Sequence, residues 1–99
     1  MVTLNVKSIS GEAETIKELL SGGLEEERRR IKFALEMSVS KTKKYEEKYG
    51  ISTSDFIEKF KNREIEEDDD TFSWWAEEKL VNELKQKLSI IENIEICQS

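Results

Sequence analysis

Hydrophobic and polar positions change period along this chain, and the changes mark its elements. Val2, Leu4 and Val6 alternate with Thr3, Asn5 and Lys7. That two-residue period predicts a strand over 2–7 with one apolar face. A lone strand is not stable, so it requires a partner, either elsewhere in the chain or in a second copy. Only Ile94-Glu95-Ile96-Cys97 alternates in the same way, and it reads equally well as the frayed end of a helix. Residues 95–99 are expected to form a loose tail.

The period then lengthens. Ser10 is a good N-cap, Glu12 and Glu14 suit a first turn, and Ile16, Leu19 and Leu20 supply an apolar face. This predicts a short helix over about 11–21, stopped by Gly22-Gly23. From Leu24 a longer pattern runs to Tyr49. Its stripe is Leu24, Ile31, Leu35, Ser38, Thr42, Tyr45 and Tyr49, close to the 3.5-residue repeat of a helical seam. Phe33 and Met37 add a second apolar ridge. Glu25–Glu27 at the start and Lys43, Lys44 and Lys48 near the end complement the helix dipole. Glu25–Arg29 and Glu26–Arg30 have pairing distance along the helix. Gly50 suits a left-handed stop. Ser52 then caps a helix over about 53–62 carrying Phe56, Ile57 and Phe60, with Asp55 at N3 and Ile51 and Phe56 spaced as a hydrophobic staple. Asp70 is the expected cap of the last helix, about 71–92, with a seam of Trp74, Val81, Leu84, Leu88 and Ile91.

These elements define a mainly α fold in a single small domain of 99 residues. Two long helices (about 24–49 and 71–92) make an antiparallel hairpin spanning 24–94. The helix 53–62 crosses its tip, and residues 1–23 supply a strand and a short helix. Folding near residue 60 sets Tyr45 near Trp75, Ser38 near Leu84 and Ile31 near Leu88. Seven of the eight aromatic residues fall between Lys44 and Lys79, so the tip is the expected aromatic core. Only 36% of residues are hydrophobic and 38% are charged. One hairpin with so thin a seam buries little surface, which predicts completion by a homodimer or another protein.

Composition then narrows the chemistry. There is no histidine and a single cysteine, Cys97, so the commonest general base is missing and no disulfide or cysteine zinc framework exists. No catalytic constellation stands out, and the expectation is a non-enzymatic protein without cofactor. Residues 64–70 carry six acids, Glu64, Glu66, Glu67, Asp68, Asp69 and Asp70, and no base. They lack the spacing and glycine of a calcium loop, so no metal site is expected. The net charge of −6 argues against nonspecific nucleic-acid binding and favours a partner with a basic surface. The six carboxylates would imitate a phosphate backbone in the basic groove of a nucleic-acid-cleaving partner. Trp75 either packs half-buried under the tip helix or serves as an exposed anchor for that partner. Arg28–Arg30, Lys32, Lys41, Lys43, Lys44 and Lys48 read as a salt-bridged outer face opposite the acids of the last helix. No run approaches the ~20 apolar residues of a membrane span, and MVTLNVKS lacks a signal-peptide core; a cytoplasmic location is expected.

The layout from Lys44 to Lys79 carries a resemblance. Lys-Tyr-Glu-x-Lys-Tyr-Gly (44–50) is followed by Ser-x-x-x-Phe-x-x-Lys-Phe (52–60), the acidic run, and a Trp-centred helix start. This resembles small, mainly archaeal antitoxin-like components of toxin–antitoxin pairs, some beside toxins of the TumE type. The matching residues are Tyr45, Tyr49, Gly50, Phe56, Phe60 and Trp74. The resemblance implies a binding protein that neutralises a toxin. A second reading comes from the first half of the chain. A strand, a short helix and a longer helix have the order of ribbon-helix-helix repressors, which dimerise through a two-stranded ribbon. In that reading Thr3, Asn5 and Lys7 would face DNA bases.

Overall fold

The computed structural model describes residues 2–6 and 12–98. Within them the order is β1 (Val2–Val6), α1 (Ala13–Tyr49), α2 (Thr53–Lys61), α3 (Asp69–Glu92) and β2 (Ile94–Gln98). The chain is a rod, with principal extents of 63 × 21 × 17 Å.

The long α1 replaces the two helices expected over 11–21 and 24–49. Gly22 and Gly23 do not stop it. A glycine ends a helix by adopting a left-handed conformation, and Gly50 does so at φ +68° whereas the pair at 22–23 does not. Each helical glycine costs about 1 kcal/mol relative to alanine. Strong helix formers on both sides, Lys17-Glu18-Leu19-Leu20 and Leu24-Glu25-Glu26-Glu27, offset that cost. Tertiary packing also spans the break, because Ser21, Leu24, Glu25 and Arg28 of α1 share a groove with Ile91, Ile94 and Ile96. The expected cap, Ser10, lies outside the described residues. At the start of α1, Glu12 occupies the cap position without a side-chain hydrogen bond.

β1 finds its partner within the chain. It pairs in parallel with β2, Val2 opposite Ile94 and Leu4 opposite Ile96, and the Val2 N–H donates to the Asn93 carbonyl at 2.7 Å. Residues 94–98 are therefore a strand rather than a loose tail. Ile94 and Ile96 gain burial on that pairing, which a frayed helix end would not give them. Parallel strands require a long crossover, and here the whole helical hairpin serves as one.

α1 and α3 pack antiparallel along the expected seam. Ile31, Ser38 and Thr42 of α1 and Trp74, Val81 and Leu84 of α3 are buried, and Leu24, Leu35, Leu88 and Ile91 are half-buried. The polar middle layer is accommodated locally: the Thr42 hydroxyl donates to the Val39 carbonyl at 2.8 Å. Three contacts step down the hairpin and set its register. Tyr49 bonds Asp70, Tyr45 stacks on Trp74, and Lys41 pairs with Glu77 at 3.5 Å. Tyr45 thus meets Trp74 rather than Trp75. Trp74 lies one heptad before Val81 on the apolar stripe, and its neighbour is turned about 100° away.

On the outer surface, Arg29 reaches Glu25 at 3.5 Å. Arg30 pairs with Glu27 instead of Glu26. Among the described residues, no helix is long and apolar enough to cross a membrane.

A continuous α1 makes a sharp mutational prediction. A Cβ added at Gly22 or Gly23 meets nothing within 4 Å, so Gly22→Ala and Gly23→Ala should each stabilise the fold by roughly 0.5–1 kcal/mol in urea denaturation. Gly50→Ala, at a left-handed position, should instead destabilise by about 1 kcal/mol. A helix stop at 22–23 would give losses at all three glycines.

Candidate functional site at the hairpin tip

The tip is built around Trp74. α1 ends where Gly50 turns left-handed and its N–H returns to the Glu46 carbonyl at 2.8 Å. The Ser52 side chain then caps α2, accepting from the Asp55 N–H at 3.1 Å. This cap aims α2 across the hairpin and delivers Phe56 face to face onto Trp74, with ring centroids 3.9 Å apart and planes 2° apart. Tyr45 and Tyr49 stack against the same indole at 5.6 and 5.7 Å. Phe56 and Trp74 are 0% and 1% exposed.

Burying an indole obliges its N–H to find an acceptor. The Thr53 hydroxyl takes it at 3.1 Å. The Thr53 backbone N–H in turn donates to the Glu46 carboxylate at 2.7 Å. One residue at the start of α2 is thereby bonded to both long helices. Sequence reasoning missed Thr53 and Glu46; neither belongs to an apolar period, and their roles depend on where a buried N–H falls in space.

Phe60 extends the cluster to the other side of α3, 5.9 Å from Phe72 and 6.0 Å from Trp75. Trp75 is half-buried beneath α2, and Lys79 lies 5.3 Å from its ring centroid. Its remaining open edge faces a groove formed with Ile57, Lys61, Glu78 and Asn82.

The six acids of the connecting loop divide into two groups. Two are structural. Asp68, not Asp70, caps α3: its carboxylate accepts from the Thr71 N–H at 2.9 Å and the Thr71 hydroxyl accepts from the Asp68 N–H at 2.8 Å. This is a capping box with threonine at N3, and the Asp68-x-x-Thr71 spacing carries its signal. Asp70 instead accepts from both the Lys48 ammonium and the Tyr49 hydroxyl, the latter at 2.6 Å. The Lys48 bond, followed by that of Tyr49, holds the Asp70 carboxyl below its ordinary pKa, and the same contacts raise those of Lys48 and Tyr49. The other four, Glu64, Glu66, Glu67 and Asp69, are exposed. Among the described residues no three potential metal ligands converge. The loop leaves α2 through Arg63, whose φ of +57° is unusual for a non-glycine residue.

The residues of the second reading are placed differently. Thr3 and Asn5 are exposed on β1, and Lys7 lies outside the described residues. That reading needs a turn between two helices near residue 22, where α1 is continuous, and a ribbon between two chains, where β1 pairs with β2. Comparison of the chain with family models, with curated proteins and with solved structures finds no match in any of the three.

Two measurements probe the tip. Thr53→Val keeps the side-chain shape but strands the buried indole N–H, so it should cost about 1–3 kcal/mol in chemical denaturation. Asp70→Asn should change the pH dependence of stability. A carboxyl whose pKa is depressed on folding stabilises above its unfolded pKa, and that stabilisation is lost as pH falls through the folded value. Urea midpoints of the wild type should therefore fall on acidification through the carboxylate range, and those of Asp70→Asn should fall less steeply.

Proposed function

We propose that this chain is a non-enzymatic protein-binding module that presents the acidic tip of its hairpin to a partner with a basic surface. The observation that supports this is the division of labour in the 64–70 loop. Asp68 and Asp70 tie the loop to α3 and α1, while Glu64, Glu66, Glu67 and Asp69 stay exposed on that anchored backbone. A loop held at both ends loses less conformational entropy on binding than a free acidic tail. Unpaired carboxylates at its surface complement arginine and lysine in geometry and charge. Trp75, half-buried beneath α2, offers one aromatic edge in the neighbouring groove between α2 and α3. The tip resembles antitoxin-like proteins in layout, so the partner we favour is a toxin whose basic, nucleic-acid-facing groove the carboxylates occlude.

Co-expression with the product of the neighbouring gene tests this reading. The expected result is a co-purifying complex and relief of that product's toxicity. Replacing Glu64, Glu66, Glu67 and Asp69 together by lysine should weaken the complex at least ~100-fold while leaving the thermal midpoint within a few degrees. Absence of a complex together with unchanged toxicity would contradict it.

A further inference from the structure

We infer that α1 forms an antiparallel, two-fold symmetric contact with α1 of a second copy of this chain, centred between Phe33 and Met37. This contact lies on a different part of the rod from the tip and does not rest on the acidic loop.

The first observation is surface. The radius of gyration is 19.5 Å, where a compact domain of this length has about 13 Å. The chain exposes 7336 Å², against roughly 5,800 Å² for a compact monomer of the same mass. The excess, on the order of 1,500 Å² per chain, is of the size that each subunit of a permanent dimer buries.

The second observation is where apolar surface remains open. Phe33 and Met37 of α1 are 67% and 50% exposed, large values for these residue types one turn apart. They lie on the side of α1 turned away from buried Ile31 and Ser38, which face α3.

The third observation selects the occupant. Along this face of α1 run Glu26, Arg30, Phe33, Met37, Ser40 and Lys44, alternately four and three residues apart, the repeat of a helix-packing seam. The series reads symmetrically about its middle. A two-fold axis between Phe33 and Met37 sets Phe33 against the second copy's Met37. The same axis sets Lys44 against the second copy's Glu26, twice over. Both Glu26 and Lys44 are exposed, Glu26 with 81% of its side chain open. A self-complementary patch of this kind is what an isologous interface requires. The axis also sets the second copy's Arg30 level with Ser40.

Sedimentation velocity on the full chain tests this, read with circular dichroism. The wild type should sediment at twice the 11.6 kDa chain mass. Phe33→Glu should shift the dissociation constant at least ~100-fold toward monomer with helicity retained. Glu26→Lys alone should weaken the dimer about tenfold, because it sets two ammonium groups against each other where Glu26 meets Lys44, at both ends of the contact. Combining it with Lys44→Glu should restore the wild-type constant. A wild-type chain that stays monomeric at every concentration would overturn the inference. So would a dimer indifferent to Phe33→Glu, or one that the charge exchange fails to rescue.

Discussion

The structure depends on the burial of one indole. Trp74 receives a ring from each of three directions: Tyr45 and Tyr49 from α1 and Phe56 from α2. Its N–H is satisfied by the hydroxyl of the residue that starts α2. The hairpin has a thin seam, with serine and threonine in its middle layer, and the two largest fully buried side chains, Trp74 and Phe56, lie at the tip. Aromatic pairs in such packing add about 0.5–1.5 kcal/mol each beyond the area they bury. A 37-residue helix and a 24-residue helix are thereby held in one register at one end, and the β1–β2 pair closes the other.

This arrangement links stability to the surface chemistry of the loop. The stack fixes α2 and the start of α3, and the loop between them must then leave with its backbone satisfied. Asp68 and Thr71 accomplish this by reciprocal capping. Asp70 is drawn back to α1 by Lys48 and Tyr49. Those bonds engage two carboxylates within the fold and leave four unpaired at the surface. The acidic run is therefore partly architecture, and its capacity to meet a basic partner resides in Glu64, Glu66, Glu67 and Asp69.

Much of the frame is legible in the sequence because it rests on period. The seams of α1 and α3, the cap at Ser52 and the left-handed turn at Gly50 follow from spacing and from backbone rules that act locally. Where local rules compete with packing, the local signal misleads. Gly22-Gly23 carries a stop signal, but neighbouring helix formers and the groove shared with β2 keep the helix intact. The alternation at 94–97 is visible, and its pairing with β1 is not, since a contact between the two ends of a chain leaves no local trace. Asp68 escapes notice as a cap because three consecutive aspartates are equivalent by residue type; only the threonine at N3 distinguishes them. Thr53 is invisible for a different reason, as its role is to answer a single buried donor 21 residues away.

The central claim is that Trp74 is sealed by its three ring partners and bonded to Thr53 in a tip that opens only when the whole hairpin unfolds. Hydrogen exchange of the Trp74 indole N–H, followed by NMR alongside that of half-buried Trp75, tests it directly. The Trp74 proton should exchange at the rate set by global unfolding and slow in step with stabilising mutations elsewhere. Exchange of that proton as fast as the Trp75 indole, or at a rate indifferent to global stability, would contradict the claim.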